Sequence, residues 1–309
     1  MTQKVNDVIC GSLRAEIFYT VVICYFTPIW LSLSKILIMD KKDVLALKPR
    51  LDTLVRQFNV PEFVIDDPLQ FPKRFDDKRD IEISALLTST IAWGRRNMIL
   101  RDADRMHALM DNMPYPFIME GNIDDIPDDN IHRTFFGRHL RYFLRGLRQV
   151  YTRYGSLEDF TRAIGADKAE APAWEIARAL NCILAESNAK HPLDGLTRCL
   201  PDKVDASALK RFNMALRWLV RNDGIADIGV WTALRPSQLF IPLDVHSGNT
   251  ARELGLLTRK ANDRRAVEEL TSNLRLLNPD DPTIYDFALF GAGVTGGLDN
   301  TTPKKQAES

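Results

Sequence analysis

Two residues in the second half of the chain, Lys210 and Asp244, could act together as a nucleophile and its charged partner. After Lys210, apolar residues recur at helical spacing, at Phe212, Leu216, Leu219 and Val220, with Arg217 and Arg221 on the other side. This pattern predicts an amphipathic helix whose first turn contains Lys210. The helix dipole disfavours a cation at that end and so favours the neutral amine. A neutral lysine amine is a nucleophile.

Asp244 stands 34 residues further along, at the start of a second predicted helix. Pro242 interrupts any regular element before it, and the residues after it read VHSGNTARELGLL, which is typical of a helix. Aspartate is a favourable N-cap residue. The spacing therefore also fits a purely structural interpretation, in which Asp244 caps a helix and Lys210 is a surface lysine.

Four segments, taken in their order along the chain, resemble a known superfamily. Lys210 begins the run KRFNMALR, and Asp244 lies in PLDVHSGNTARELGLL. Residues 81–97 read IEISALLTSTIAWGRRN, and residues 281–294 read DPTIYDFALFGAGV. Together they resemble the helix-hairpin-helix base-excision DNA glycosylases, in which a lysine opens the second hairpin helix and a V-D-x-H segment supplies an aspartate. The resemblance covers most of residues 80–295.

The distance along the chain from Lys210 to Asp244 refines this resemblance. It is longer than in endonuclease III and is similar to that of the archaeal 8-oxoguanine glycosylases. Within the superfamily the chain is most similar to a bacterial family without an assigned activity. The resemblance implies an all-α, two-lobed fold with a helix-hairpin-helix element and a cleft between the lobes.

The activity that the resemblance implies is base excision from double-stranded DNA. Lys210 would attack the sugar C1′ and displace a damaged base, leaving a Schiff base that permits β-elimination. Asp244 would move protons and stabilise the positive charge that develops on the sugar. The lysine implies a bifunctional glycosylase and AP lyase. An oxidised base is expected, with 8-oxoguanine preferred because of the long spacing between the two residues.

The hairpin before Lys210 departs from the family pattern. In the superfamily a glycine-rich turn presents backbone N–H groups to a DNA phosphate. Here Leu200 and Pro201 resemble the opening of that turn, but DKVDASA replaces its glycines. A longer irregular turn can still expose its amides, so the sequence leaves phosphate binding by this loop open.

Three further residues are candidates for the base pocket or for the gap that the extruded base leaves. Thr90 lies in the helix of residues 81–97 and would be near the gap, although a buried helical threonine is the alternative. Trp93 or Trp231 could stack on the extruded base. Both tryptophans are equally compatible with a place in the core.

Several cationic residues are candidates for contact with DNA. Arg95 and Arg96 could contact the backbone beside the lesion, and His246 could contact a phosphate or hold the start of its helix. Arginines also recur on one predicted helix at Arg141, Arg145 and Arg148, with Arg133, Arg138 and Arg153 extending the charge. Such a stripe could lie along phosphates or could be an ordinary solvated face.

Composition limits the remaining possibilities. The 309 residues carry 41 cationic and 41 acidic side chains, so any nucleic-acid site must be a local basic patch.

The four cysteines, Cys10, Cys24, Cys182 and Cys199, lack metal-site spacing, which argues against zinc and against a disulfide scaffold. Some relatives carry an iron-sulfur cluster near the C-terminus. No cysteine follows Cys199, so we expect no cluster and no other cofactor.

The first 38 residues differ from the rest. Ile17 to Ser34 is an uncharged run of 18 residues, at the lower limit for crossing a bilayer. Pro28 and a sparse positive flank argue against a signal anchor. Met39 precedes a natural start of a helical domain. We therefore divide the chain into an N-terminal extension, residues 1–38, which is either a mis-assigned start or an anchor, and a helical domain, residues 39–309.

From Asp40 onward the apolar pattern is helical, and strand-like alternation is nowhere sustained. Residues 60–80 hold three prolines and are expected to form a connecting loop. The expected protein is a monomer in the cytoplasm, associated with the nucleoid. Two other functions remain open, a non-catalytic helix-hairpin-helix DNA-binding protein and a membrane-tethered interaction protein.

Overall fold

Helices make up most of the computed structural model, which describes residues 39–191 and 199–295. Within these ranges the helices are α1 (Lys41–Ala46), α2 (Lys48–Phe58), α3 (Pro61–Val64), α4 (Lys78–Thr90), α5 (Arg96–Ala108), α6 (Pro114–Glu120), α7 (Gly137–Tyr154), α8 (Leu157–Ala163), α9 (Pro172–Ser187), α10 (Lys210–Val220), α11 (Val245–Glu253), α12 (Arg264–Leu277) and α13 (Asp286–Val294). Short 3-10 turns lie between several of them.

The described residues confirm the all-α class. Their strands, β1 (Asn130–His132) and β2 (Phe135–Phe136), form one short antiparallel hairpin. From Lys41 onward the described residues belong to one compact unit. Its division into two lobes and its helix-hairpin-helix element remain predictions.

The helix starts follow from local sequence. Side chains of Asp77, Ser156, Asp244 and Asp263 each accept a hydrogen bond from a backbone N–H in the first turn of α4, α8, α11 and α12. Proline occupies the first turn of α2, α3, α6 and α9, where its missing N–H costs nothing. The predicted helix after Asp244 therefore has the expected side-chain cap, whereas the predicted helix at Lys210 begins without one.

Residues 60–80 were predicted to form a connecting loop, but they contain regular helical turns. They contain α3, two 3-10 turns at Pro68–Gln70 and Pro72–Arg74, and the start of α4. Leu69 and Phe71 are each only 1% exposed. The prolines of this segment stand at the first positions of short helical turns, so they start these turns instead of interrupting them.

Glycines allow three helix pairs to approach closely. A Cβ on Gly291 of α13 would lie 2.3 Å from the Phe58 ring of α2, and one on Gly146 of α7 would lie 2.3 Å from the Leu184 side chain of α9. In the same way, a Cβ on Gly293 would meet the backbone of α11. Helix α13 packs against both α2 and α11. It therefore connects α2, near the start of the described chain, with the helix that Asp244 caps.

A buried carboxylate, Glu82 of α4, joins three parts of the fold. It is fully buried, and it accepts hydrogen bonds from the Trp231 indole at 2.7 Å, from Tyr151 Oη at 2.9 Å and from Leu157 N at 3.0 Å. Burial raises the pKa of Glu82, and the donated hydrogen bonds oppose that shift. Because the Trp231 indole is 5% exposed and engaged here, the expectation that it stacks on an extruded base is replaced by a structural role.

Among the described residues, no helix has the length and apolar character needed to cross a membrane. The hydrophobic run from Ile17 to Ser34 lies outside them.

Replacing Glu82 with alanine should destabilise the protein strongly. The change leaves the buried Trp231, Tyr151 and Leu157 donors without their acceptor, and the expected loss in the free energy of unfolding is roughly 3 to 5 kcal/mol. Chemical denaturation with tryptophan fluorescence measures it. Glu62→Ala, at an exposed position of α3, is the control and should change stability by no more than about 0.5 kcal/mol. Equal effects of the two changes would contradict the structural role of Glu82.

Candidate functional site

Lys210 and Asp244 lie at the junction of two adjoining cavities. Cavity A has a volume of about 420 Å³, cavity B has one of about 510 Å³, and both are lined by Lys210, Arg211, Asp244 and Val245. The fold therefore brings together the two residues that the sequence analysis paired. A molecule that occupies either cavity can reach both side chains.

The Lys210 amine is unusually free of charged partners. Its hydrogen-bond contact is the thioether sulfur of Met214, one helical turn further along α10, at 3.6 Å. It has no ion-pair partner within the described part of the chain. Leu209 immediately before it adopts a left-handed conformation, with φ +47°, and no side chain caps the helix. The turn at Leu209 thus presents both the lysine and the first uncapped N–H groups of α10 at the cavities.

Asp244 is held rigidly by its helix. Its Oδ1 accepts hydrogen bonds from Ser247 N at 2.9 Å and from Ser247 Oγ at 3.0 Å. Asn262 Nδ2 donates to the Asp244 carbonyl at 3.0 Å. Its second carboxylate oxygen, Oδ2, has no hydrogen-bond partner among the described residues. Asp244 is therefore the cap of α11 and keeps one carboxylate oxygen without a hydrogen bond to the described residues.

Cavity A lies between α4, the loop before α10 and Asp244. Thr90 and Ser89 of α4 line it, together with Cys199 and residues 207–212. Thr90 is buried, and its hydroxyl donates to the Leu86 carbonyl at 2.8 Å. The Arg211 guanidinium donates to the Thr90 carbonyl. Thr90 thus combines the two alternatives, because it is a buried helical threonine that also lines the site.

Cavity B has a largely apolar lining with a few polar groups. Its apolar and aromatic lining residues include Pro68, Trp93, Ile99, Met214 and Phe290. Asp67, Arg96 and His246 add a carboxylate, a guanidinium and an imidazole. The Trp93 ring is fixed by two contacts, an edge-on contact with His132 at 4.7 Å and the Arg211 guanidinium 4.9 Å from the ring centroid. His246 meets Phe290 edge to face at 5.9 Å. Apolar walls with sparse polar groups are typical of ligand sites.

A third carboxylate, Asp286, was missed by the sequence analysis. It is the first residue of α13 and is 8% exposed, and Arg217 of α10 donates a hydrogen bond to it. Burial raises the pKa of Asp286 to about 6. The charge of Arg217 opposes this rise, as does that of Lys210, and the charge of Asp244 adds to it. Asp286 is thus electrostatically coupled to both members of the central pair.

Arg217 and Arg221 are buried, which corrects the prediction that they lie on the polar side of the helix. Each is 3% exposed. Their carboxylate partners are Asp227 and Asp286 for Arg217, and Asp223, Asp227 and Asp281 for Arg221. A weak signal existed in the sequence, since Asn213 and Arg217 are the polar residues between Phe212 and Val220. A helix that is apolar nearly all round is buried nearly all round.

The arginine stripe of α7 serves the fold, which corrects its expected role in binding phosphates. The contacts are Arg141 Nη1 to the Ile126 carbonyl at 2.7 Å, Arg145 to Asp124 and to Asn188 Oδ1, and Arg148 to the Ile118 and Gly121 carbonyls. Carbonyls at the C-terminal end of α6 and in the loop after it have no helical donors of their own. The three guanidinium groups supply those donors and hold residues 118–126 against α7.

Arg95 and Arg96 are placed differently. Arg95 is exposed beside cavity B, and Arg96 lines that cavity. Within the described residues neither side chain has a carboxylate or carbonyl partner. Both charges are therefore available to an anionic ligand.

Among residues 39–191 and 199–295, no three His, Cys, Asp or Glu side chains are grouped so that they could hold a metal ion. The Cys199 thiol is buried and donates to the His139 carbonyl at 3.3 Å, and burial raises its pKa. Cys199 is therefore a structural residue with low reactivity. The expectation of no iron-sulfur cluster remains a prediction.

Fold and site together define a mostly helical protein with a lysine and an aspartate between two cavities. Residues 67–295 match the family described as protein of unknown function (DUF2400), and the chain belongs to that family. The matched range contains both cavities. No curated protein and no solved structure matches the chain.

Asp286→Asn should change the way stability depends on pH. The pKa of Asp286 is raised from its ordinary 3.8 to about 6, so the folded protein holds this proton more tightly than the unfolded chain. Its contribution to the free energy of unfolding is complete below about pH 4 and is lost as the pH rises through about 6. The asparagine does not titrate. Between about pH 4 and pH 7 the wild type should lose up to about 3 kcal/mol relative to the variant, as measured by urea unfolding.

The matched control is Asp281→Asn, which removes the acceptor of Arg221 Nε at 2.8 Å from the same buried network. It keeps Asp286, so its stability should follow the wild-type pH dependence. Parallel curves for the wild type and Asp286→Asn would show that Asp286 does not hold its proton as described.

Proposed function

We propose that this protein is a DNA base-excision enzyme, a bifunctional glycosylase and AP lyase that acts through a Schiff base on Lys210. The observation that carries the proposal is that Lys210 and Asp244 line the same two cavities. The resemblance of their segments to the glycosylases assigns them the matching roles. The amine without an ion-pair partner and the aspartate with a free oxygen support those roles.

The reaction divides into an excision step and an elimination step. The Lys210 nitrogen forms a bond to C1′ of the damaged nucleotide as the bond from C1′ to the base breaks, and the base leaves as an anion that takes a proton from solvent. Asp244 stabilises positive charge on the sugar and accepts the proton that the lysine loses. The sugar ring then opens: the bond from C1′ to O4′ breaks, O4′ takes the proton from Asp244, and an iminium between C1′ and the lysine nitrogen forms. This iminium acidifies C2′. Loss of that proton then breaks the bond from C3′ to the phosphate oxygen and nicks the strand.

A base can reach Lys210 only after it leaves the duplex, at a cost of a few kcal/mol. Cavity B is our candidate for its binding site, because Trp93, Met214 and Phe290 offer apolar and aromatic surface on which an extruded base can stack. Arg96 can donate to a base carbonyl, and Asp67 can accept from a base N–H. A purine that presents both groups, as guanine and 8-oxoguanine do, matches this pair. Our preference for an oxidised purine rests on the long spacing between Lys210 and Asp244.

Contact with the DNA backbone is proposed for the groups around these cavities. Arg95 and Arg96 bring charges that no described carboxylate neutralises. His246 is exposed at the mouth of cavity B. The uncapped N–H groups of α10 at cavity A can bind a phosphate without the glycines that the hairpin lacks, because they are at the positive end of an 11-residue helix.

Borohydride trapping on duplex oligonucleotides tests the proposal. Wild-type protein should form a covalent adduct with at least one substrate from a panel that carries 8-oxoguanine, other oxidised bases or an abasic site. Lys210→Gln should form none, since no Schiff base is available for reduction. Asp244→Asn should slow adduct formation by roughly a hundredfold or more. Denaturing gel electrophoresis of labelled DNA measures the adduct.

Lys203→Gln is the matched control, because Lys203 is an exposed lysine seven residues before Lys210. It should trap at the wild-type rate. Tight duplex binding without an adduct on any substrate would instead favour a non-catalytic DNA-binding protein. An adduct that persists in Lys210→Gln would assign the chemistry to another amine.

A further inference from the structure

The β-hairpin carries an exposed arginine at its tip. Arg133 and Thr134 connect β1 to β2, and both are exposed. Arg133 adopts a left-handed backbone conformation, with φ +50°. This conformation is uncommon and costly for a residue with a side chain, so neighbouring contacts must enforce it.

Buried contacts fix the strands that hold this tip. His132 is 0% exposed and bridges two elements, with Nδ1 2.7 Å from Asp102 Oδ2 of α5 and Nε2 2.8 Å from the Trp93 carbonyl. Phe135 on the other strand is also 0% exposed. The side-chain amide of Asn130 donates to the Arg133 carbonyl across the turn. The tip therefore projects from a rigid base.

The hairpin places the Arg133 guanidinium against Gly94, a residue that lines cavity B. A Cβ built on Gly94 would lie 2.7 Å from Arg133 Nη1, so the guanidinium packs directly on the Gly94 backbone. Gly94 lines cavity B together with its neighbour Trp93 and with Arg96. Gly94 has φ +105°, a conformation that glycine adopts without strain.

Three arginines come together around Gly94: Arg95 and Arg96 follow it in the chain, and Arg133 packs on it. Within the described ranges the side chains of Arg95, Arg96 and Arg133 have neither an ion pair nor a hydrogen bond to a protein group. Nearby Arg138, by contrast, is bound to Asp128 at 2.6 Å. Three unpaired guanidinium groups in a chain of balanced charge form a local site for a polyanion.

We propose that the tip of the β-hairpin is a DNA-contacting element, in which Arg133 binds a backbone phosphate at the mouth of cavity B. The inference rests on the proposed function for its choice of polyanion. It adds an element that the resemblance to glycosylases did not indicate. A guanidinium held on a rigid turn loses little side-chain freedom on binding, and its planar donors suit a phosphate. Arg133 would hold the strand beside the point where a nucleotide enters the cavity.

The test is the salt dependence of duplex binding, measured by fluorescence anisotropy on DNA containing a non-cleavable abasic-site analogue. Each neutralised phosphate contributes about 0.9 to the slope of log affinity against log salt. Arg133→Ala should lower the slope by about that amount, so its loss of affinity between 50 and 200 mM salt should be roughly 3.5-fold smaller than in wild type. Arg133→Lys keeps a phosphate-binding charge and should restore the slope.

Arg138→Ala is the matched control, because it removes an arginine that is already paired and should leave the slope unchanged. Thermal unfolding verifies that each variant is folded. Equal slopes for wild type and Arg133→Ala, with binding intact, would overturn the inference and leave base excision standing. A reduced slope in Arg133→Ala without any borohydride adduct would support the inference and overturn base excision. Absence of duplex binding by the wild type would overturn both.

Discussion

The ion pair between Arg217 and Asp286 is the interaction on which the site depends most. It joins α10, which carries Lys210, to α13, which packs against the helix that Asp244 caps. Burying two charges is costly unless each has a close partner and further hydrogen bonds. Here Asp227 binds both Arg217 of α10 and Arg221, the residue that follows the helix. The network therefore fixes the rotation of α10 about its axis. That rotation sets the direction in which the Lys210 side chain points.

The same pair lies in an electrostatic network with Lys210 and Asp244. Burial raises the pKa of Asp286 to about 6, the charges of Arg217 and Lys210 oppose that rise, and the charge of Asp244 adds to it. Asp286 is therefore mostly ionised at pH 7, where it pairs with Arg217. Because Asp286 responds to both Lys210 and Asp244, a change at either residue is felt by the ion pair that joins α10 to α13.

Local rules predicted the parts of the site that local sequence specifies. The periodicity after Lys210 and the capping preference of Asp244 gave the two helix starts, and the order of segments suggested that the residues belong together. Burial of Arg217 escaped prediction because its partners Asp227 and Asp286 lie in other segments, and only tertiary packing selects them. Neither alternative offered for the α7 stripe, contact with phosphates or a solvated face, anticipated these protein contacts, for a related reason. Helical periodicity identifies a charged face but says nothing of the carbonyls that fold against it, so Arg145 looks the same in sequence whether it meets phosphate or protein.

The described arginines fall into two groups according to the partners of their guanidinium groups. Arg141, Arg145 and Arg148 satisfy carbonyls or carboxylates, whereas Arg95, Arg96 and Arg133 do not. The latter three lie where the backbone itself is unusual, at the left-handed turns of Gly94 and Arg133. A non-glycine residue in that conformation costs roughly 1 kcal/mol or more, and leaving several cations together adds repulsion. Both costs fall at one cavity mouth, and a bound anion would offset them there, which is the physical basis of the phosphate contact proposed for Arg133.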